Sequence, residues 1–133
     1  MIVADTNLIA YLFIPSVFTA DAEAVFRKDP EWCAPALWRS EFRNVLWLQI
    51  RSGGFTLDRA MRAMENAETL LGGREYNVES AGVLALSAAS GVSPYDCEFV
   101  IVAQETGRTL VTADRKVLAA FPQVAMSLTG FAS

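Results

Sequence analysis

The sequence predicts an α/β fold in which helices flank a doubly wound, parallel β-sheet of about five strands. Short apolar segments of strand length alternate along the chain with segments of helical length, which is the pattern of a parallel sheet. Hydrophobic residues make up 53% and charged residues 20% of the sequence, as in globular proteins. The 133 residues suit one hydrophobic core, so we interpret residues 1–133 as a single domain in an α/β/α arrangement.

The predicted elements follow in order from apolar runs and from the residues that end them. Residues 2–4 form a strand because polar residues break the apolar run directly after it, and Pro15 ends the helix that follows. Thr19 is of a helix-capping type and begins the next helix. The first four elements are therefore strand 2–4, helix 8–13, helix 19–29 and strand 31–34.

Glycines and one Ser-Pro pair delimit the remaining helices. Gly53-Gly54 ends a long helix that begins near residue 36, and Gly72-Gly73 ends a helix capped by Thr56. Ser93-Pro94 opens a helix that Gly107 closes, since proline favours the first helical position and glycine the position after the last. The other predicted elements are strand 75–78, helix 79–90, strand 109–112, helix 115–121 and strand 124–128.

The composition excludes several kinds of catalytic site. The sequence contains no histidine, which rules out Ser-His-Asp and Cys-His catalysis, imidazole-based zinc sites and nucleases with a histidine acid or base. Cys33 and Cys97 are too few for a disulfide framework, so we expect both to be buried as small apolar residues. The chain shows neither a signal peptide nor an apolar run of the ~20 residues that a membrane span needs, and we expect a soluble cytoplasmic protein.

Two acidic residues are predicted to meet where two strands end. Asp5 follows the first strand and Asp114 follows the fourth. In open α/β sheets, ligands collect beyond the carboxyl ends of strands, at the point where the winding direction reverses. If these two strands are neighbours there, the two carboxylates share one crevice. Either residue could instead serve as the N-cap of the helix that follows it.

A third acid, Glu41, is predicted to lie among apolar side chains. At about 100° per residue, its helix places it in an apolar stripe that consists of Leu37, Trp38, Val45 and Leu48. An unpaired carboxylate is costly there, so Glu41 needs a cation, a hydrogen-bond partner or a proton. A partly exposed position at the rim is the alternative. Asn44 lies beside it and could position a water molecule or a ligand.

The fourth acid, Asp96, is predicted to face inward from the helix that Ser93-Pro94 opens. The spacing of Ser93 and Asp96 also matches a capping box with aspartate in place of glutamate, which is an alternative structural role. Glu98 and Glu105 project to the opposite side and are expected to be solvated. Two acids at strand ends and two on inward helix faces form a cluster of hard oxygen ligands that suits Mg²⁺ or Mn²⁺.

The net charge of the chain is consistent with such a cluster. The formal charge of −4 is unusual for a protein that acts on nucleic acid. Without the four proposed site acids, however, the remaining 11 acidic residues balance the 11 lysines and arginines. The cation-binding cluster would therefore carry the whole acidic excess.

Four segments of the sequence together resemble the successive motifs of the PIN domain family, from Met1 to about Phe121. They are Val3-Ala4-Asp5-Thr6-Asn7, Ser40-Glu41-Phe42-Arg43-Asn44-Val45-Leu46, Tyr95-Asp96-Cys97-Glu98-Phe99-Val100 and Leu110-Val111-Thr112-Ala113-Asp114. The similarity is greatest to the VapC-like toxins of prokaryotic toxin–antitoxin pairs. The resemblance implies a five-stranded parallel sheet, endoribonuclease activity with Mg²⁺ or Mn²⁺, a homodimer and inhibition by a cognate antitoxin.

The resemblance also implies a role for each residue of the site. The four acids match the family's acidic quartet one for one. Thr112 matches a position where the family often has a hydroxyl near the metal, and Thr6 and Asn7 match the polar residues after the first aspartate. We assign direct metal ligation to Asp5 and Asp96, whereas Glu41 and Asp114 would hold water molecules of the metal or a second ion.

Two sets of residues on the long helix are predicted to contact partners. Arg39 and Arg43, one turn apart, are candidates for RNA phosphate contacts, with ordinary solvated arginines as the alternative. Leu46, Trp47 and Ile50 gather away from the acidic residue, so the helix would be apolar on two faces. We expect a second subunit or an antitoxin segment to cover this face, and complete burial within the chain is the alternative.

Three other functions are considered. A phosphoacceptor receiver domain would need an acceptor aspartate at the end of a central strand, and residues 51–58 contain no such strand. A PIN-like module that binds RNA or protein without cleaving it would not need an intact quartet. A nuclease of RNA processing or decay, without an antitoxin, has the same chemistry as the toxin, and the sequence does not distinguish the two.

Overall fold

Five short strands form one sheet in the order β3-β2-β1-β4-β5. The computed structural model describes all residues from Met1 to Ser133. Each strand pairs with its neighbours in parallel, which confirms the predicted sheet. The strands are β1 (Ile2–Ala4), β2 (Trp32–Pro35), β3 (Glu75–Tyr76), β4 (Leu110–Val111) and β5 (Ala125–Met126).

Eight helices flank this sheet, and none is long and apolar enough to cross a membrane. Seven lie where the sequence predicts them, with ends that differ by a few residues. Gly72, Gly91 and Gly107 end three of them with positive φ angles of 55°, 75° and 67°, a conformation that glycine adopts without steric cost. The helices are α1 (Thr6–Phe13), α2 (Thr19–Lys28), α3 (Trp38–Arg51), α4 (Leu57–Leu71), α5 (Ser80–Ser90), α6 (Pro94–Thr106), α7 (Arg115–Ala120) and α8 (Leu128–Ala132).

The last helix differs from the prediction. We expected a strand over residues 124–128, but β5 ends at Met126 and α8 begins at Leu128. The hydroxyl of Ser127 accepts a hydrogen bond from the amide of Gly130 at 3.0 Å, and this cap starts the helix. A five-residue helix that contains glycine leaves almost no periodic pattern in the sequence, which is why it was missed.

The winding direction of the sheet reverses between β1 and β4. From β1 the chain proceeds to β2 and β3 on one side, then returns to place β4 and β5 on the other. Val3 is paired with Leu110 and Ala4 with Val111, so both strands end at the same level. The residues that follow them therefore lie side by side, as the sequence predicted.

Helix α6 packs against the centre of the sheet and supplies much of the hydrophobic core. It contacts β1, β2 and β4, and its residues from Phe99 to Ala103 are all buried. Cys33 and Cys97 are buried and not bonded to each other, as expected. Because the middle of α6 is held this firmly, its first turn projects at the carboxyl edge of the sheet in a fixed position.

The core-facing side of α3 corrects the sequence interpretation. The buried residues of this helix are Trp38, Phe42 and Leu46, whereas Leu48, assigned to the inward stripe, is 46% exposed. Leu46, assigned to a partner surface, is only 4% exposed and belongs to the chain's own core. The buried face therefore combines Trp38 of the predicted inward stripe with Leu46 of the predicted partner surface, and it is the face that packs against α1 and α4.

Candidate active site

The four predicted acids all line one crevice at the carboxyl edge of the sheet. The crevice has a volume of about 700 Å³ and lies where β1 and β4 end. Thr6, Asn7 and Asn44, predicted as supporting residues, also line it. Its other walls come from Leu37, Ser40, Val45 and Tyr95, which the sequence analysis did not assign to the site.

Asp5 is held at the bottom of the crevice by a hydrogen-bond network that joins the ends of β1 and β4. Only 6% of the residue is exposed. Its Oδ2 accepts a hydrogen bond of 2.6 Å from the buried hydroxyl of Thr112, and its Oδ1 accepts one of 2.8 Å from the amide of Thr6. Asn7 donates to the same threonine hydroxyl at 3.2 Å. The network fixes the carboxylate without a positively charged partner.

Glu41 is held by the first residue of α1. The hydroxyl of Thr6 donates a hydrogen bond of 2.7 Å to its Oε1, which connects α1 to α3. The carboxylate therefore has the hydrogen-bond partner that its partly buried position requires. Thr6 acts on two of the acids, since its amide binds one carboxylate and its hydroxyl binds another.

Asp114 has a structural role as well as a place in the crevice. Its Oδ1 accepts hydrogen bonds from the amides of Lys116 at 2.8 Å and Val117 at 3.2 Å, so it is the N-cap of α7. The amide of Asp114 donates to the hydroxyl of Thr112 at 3.0 Å. The capping alternative is therefore correct for this residue, and it does not prevent the second carboxylate oxygen from binding a ligand.

Asp96 lies in the first turn of α6. Its backbone amide donates to the hydroxyl of Ser93 at 3.2 Å, which caps the helix. This cap uses the backbone of Asp96, and the side chain is directed into the crevice. Capping and participation in the site are compatible here.

The electrostatics of the crevice disfavour ionised carboxylates. Burial raises the pKa of Asp5 to about 6, against its hydrogen bonds, and the charges of Asp96 and Glu41 raise it further. Burial also raises the pKa of Glu41 and of Asp96. The charge of Asp96 raises the pKa of Glu41 further, and the charge of Asp114 raises that of Asp96. The acids repel one another, and a bound cation would relieve this repulsion.

The donor set fits a hard divalent cation. Carboxylate oxygens, together with hydroxyl and amide groups, are the ligands that Mg²⁺ and Mn²⁺ prefer. With the side chains in this arrangement, no three of the acids converge tightly enough to enclose a metal ion together. The crevice is instead of the kind that holds Mg²⁺ through one or two carboxylates, with water in the remaining positions.

The sequence of this chain matches a known family over nearly its whole length. The model of the PIN domain matches residues 2–125. The chain belongs to the PIN domain family. The resemblance of the four motifs is thereby confirmed, and each motif supplies one acid to the crevice of this PIN domain.

Two proteins of Pyrobaculum aerophilum are similar to this PIN domain. It is 29% identical over 124 residues to a protein named Ribonuclease VapC3, and the match covers 91% of this chain and 95% of that protein. It is also similar to the crystal structure of PAE2754, with a TM-score of 0.75 and 21% sequence identity. That match covers 98% of this chain and 85% of the other, and it shows that the two chains share a fold.

The structure places the two candidate RNA-binding arginines in different surroundings. Arg39 forms ion pairs with Glu68 of α4 and, at 2.7 Å, with Glu75 of β3. These carboxylates neutralise the guanidinium and hold it in place, so Arg39 is less available for a phosphate than a free arginine would be, and its role in RNA binding stays a prediction. Arg43 is exposed on α3 and stays a prediction.

Glu98 corrects another expectation. We expected it to be solvated, but it is partly buried at the side of the PIN domain where α6 packs on α5. Burial raises its pKa, and its charge raises the pKa of Glu41. The helical wheel of α6 could not show this contact because it describes one helix alone, without the neighbouring helix α5. Glu105 is exposed, as expected.

Proposed function

We propose that this PIN domain is an endoribonuclease that hydrolyses RNA phosphodiester bonds with Mg²⁺ or Mn²⁺. The observation that carries the proposal is the meeting of four carboxylates, from four different elements, in one crevice at the reversal point of the sheet. The name of the similar protein Ribonuclease VapC3 supports this activity. An RNA strand is the expected substrate.

The chain's own residues would position the reacting groups. Asp5 and Asp96 would hold the cation, and Glu41 and Asp114 would bind water molecules near it or a second ion. When bound, Mg²⁺ or Mn²⁺ supplies a Lewis acid that activates water and stabilises charge on the phosphate oxygens. Thr112 and Thr6 keep two of the acids oriented through their hydrogen bonds. The exposed guanidinium of Arg43 would attract the RNA backbone.

We further propose that the protein is the toxin of a type II toxin–antitoxin pair, that it acts as a homodimer and that it works in the cytoplasm. The similarity to the protein named Ribonuclease VapC3 supports the first of these proposals, because the four motifs of this chain resemble those of VapC-like toxins. A PIN domain nuclease of RNA processing or decay, without an antitoxin, is the alternative. A small antitoxin-like reading frame beside the gene would favour the toxin. The complete set of acids argues against a module that binds RNA or protein without cleavage.

Metal-dependent cleavage tests this function directly. We expect the purified protein to cleave single-stranded or structured RNA when Mg²⁺ or Mn²⁺ is present and to lose this activity in excess EDTA. Product formation is followed on gels with end-labelled RNA. Adding back the metal should restore cleavage, which controls for loss of protein. Cleavage that persists unchanged in EDTA, in a preparation free of contaminating nuclease, would contradict the proposal.

The exposed apolar side chains of α3 lead to a prediction about partners. Trp47 is 52% exposed and Ile50 is partly buried at the edge of the core, and we propose that a second subunit or an antitoxin segment covers them. Trp47→Glu should weaken that association by roughly tenfold or more, because buried tryptophans dominate protein interfaces. The monomer should still fold, since the side chain is outside the core.

Analytical ultracentrifugation measures the self-association of wild type and variant. Val17→Glu is the matched control, because it places the same charge on an exposed apolar residue of the connection between α1 and α2. A wild-type protein that stays monomeric and binds no partner through this face would contradict the prediction. Leu46 is unsuitable for this test because its replacement would damage the core.

A further inference from the structure

A second cavity lies beside the acidic crevice and plays no part in the proposed hydrolysis. It has a volume of about 360 Å³ and lies beyond the carboxyl ends of β2 and β3. Val78, Val83 and Pro94 give it apolar walls. Four polar side chains also line it, and none of them forms a hydrogen bond within the chain. They are Tyr76, Asn77, Ser80 and Glu98.

Only a narrow ridge separates this cavity from the crevice. On one side of the ridge, Ala36 lines the cavity and the next residue, Leu37, lines the crevice. On the other side, Pro94 lines the cavity and the next residue, Tyr95, lines the crevice. An RNA strand with one phosphate among the acids would therefore bring an adjacent base to the cavity.

The lining of the cavity suits a nucleobase. Proteins recognise single-stranded RNA by stacking bases on aromatic side chains and by hydrogen bonds to the exposed base edges. The ring of Tyr76 and the apolar walls offer contact surfaces for the face of a base. Asn77 and Ser80 can each donate and accept hydrogen bonds, and their groups are free to do so.

Glu98 determines which base fits best. An ionised carboxylate only accepts hydrogen bonds. Guanine is the base whose Watson–Crick edge carries two adjacent donors, N1–H and the N2 amino group, and a carboxylate can accept from both. In adenine, cytosine and uracil, the donor on this edge lies next to a ring nitrogen or carbonyl oxygen that is an acceptor, which the carboxylate would repel.

The geometry points to the cavity between Tyr76 and Glu98 as a subsite for a guanine base in the nucleotide next to the cleaved phosphate. This inference rests on the proposed ribonuclease function and adds a sequence preference to it. Glu98 is here a specificity residue that contacts the substrate, distinct from the four acids. Glu98 is partly buried at the wall of the cavity, where a hydrogen bond is electrostatically stronger than in bulk water.

Two readouts test the subsite. In the first, short single-stranded RNAs that contain one guanosine, or inosine at the same position, are cleaved in Mg²⁺ and the cut sites are mapped. Inosine lacks only the N2 amino group of guanosine, so this comparison changes the RNA and not the protein. We expect cutting beside guanosine to be faster by roughly tenfold, since a bidentate contact to a base edge discriminates by about that much. Glu98→Gln should lose this ratio, whereas Glu105→Gln should keep it.

The second readout does not depend on cleavage. Fluorescence anisotropy measures how the Asp96→Asn protein binds the same RNAs in Mg²⁺, and guanosine should bind more tightly than inosine. Cleavage without any guanosine preference overturns the subsite and leaves the nuclease standing. Guanosine-selective binding that needs Glu98, from a wild-type protein that cuts no RNA, supports the subsite and overturns the nuclease. If the protein neither cleaves RNA nor binds guanosine selectively, the nuclease function and the subsite are both overturned.

Discussion

Asp5→Asn and Asp96→Asn should each lower RNA cleavage by roughly two orders of magnitude or more, the usual cost of removing a group that stabilises charge in a transition state. In the metal-free protein, the same changes should leave the free energy of unfolding level or raise it. Each substitution removes one charge from a cluster whose members repel one another. Glu41→Gln should behave in the same way, because the hydroxyl of Thr6 can still donate to the amide oxygen.

Glu105→Gln is the matched control for this prediction. It removes the same charge from an exposed position on α6, and neither cleavage nor stability should change. Glu98 is not suitable, because it is partly buried and its charge acts on Glu41. The cap of α6 uses the amide of Asp96, which asparagine retains. If Asp96→Asn lost about 1 kcal/mol of metal-free stability and kept its cleavage rate, the carboxylate would serve only the capping box with Ser93 and not the site.

Thermal melting with and without Mg²⁺ adds a readout that does not depend on cleavage. A ligand that binds only the folded state stabilises it by an amount that grows with the logarithm of the ratio of the ligand concentration to the dissociation constant. Mg²⁺ should therefore raise the melting temperature of wild type more than that of the quartet variants. An equal rise in wild type and in Asp5→Asn would show that the metal binds elsewhere.

The stability of the metal-free protein should decrease as the pH rises through the range from about 4 to about 6. The pKa of Asp5 is raised by burial from 3.8 to about 6, so the folded state binds a proton that the unfolded state releases. The contribution of the Asp5 carboxyl to the free energy of unfolding is fully favourable below pH 3.8, and it is lost as the pH rises through 6. At about 1.4 kcal/mol per pKa unit, the loss is about 3 kcal/mol. The pKa values of Glu41 and Asp96 are raised as well and act in the same direction.

Urea unfolding at pH 5 and pH 7.5 in EDTA measures this effect. Other groups titrate too, and the lowered pKa of Asp29 beside the terminal amine acts in the opposite direction. The decisive quantity is therefore the difference in the free energy of unfolding between wild type and Asp5→Asn. This difference should favour the variant more at pH 7.5 than at pH 5. A difference that does not change with pH would mean that Asp5 is readily ionised in the folded protein. Cleavage in Mg²⁺ should rise over the same pH range, because metal ligands must be deprotonated.

The sequence by itself determined the sheet type, the family and the positions of the four acids. These features depend on local signals. Apolar runs define the strands, glycines such as Gly91 and Gly107 end helices, and Asp5 and Asp114 follow strands directly. In a doubly wound sheet, residues directly after neighbouring strands lie at one edge. The sequence therefore predicted that these two acids meet on the condition that their strands are neighbours, and the pairing of β1 with β4 meets that condition.

Only the tertiary structure decided which surfaces of the helices meet other elements. On α3, the sequence placed Trp38 and Leu48 on the inward face and Leu46 on a partner surface, whereas packing on α1 and α4 buried Trp38 and Leu46 and left Leu48 exposed. Contacts between distant parts of the chain also paired Arg39 with Glu68 and Glu75. They brought Glu98 of α6 to the cavity beside β3. Helical periodicity describes one helix at a time, whereas burial and ion pairing depend on which segments pack against it.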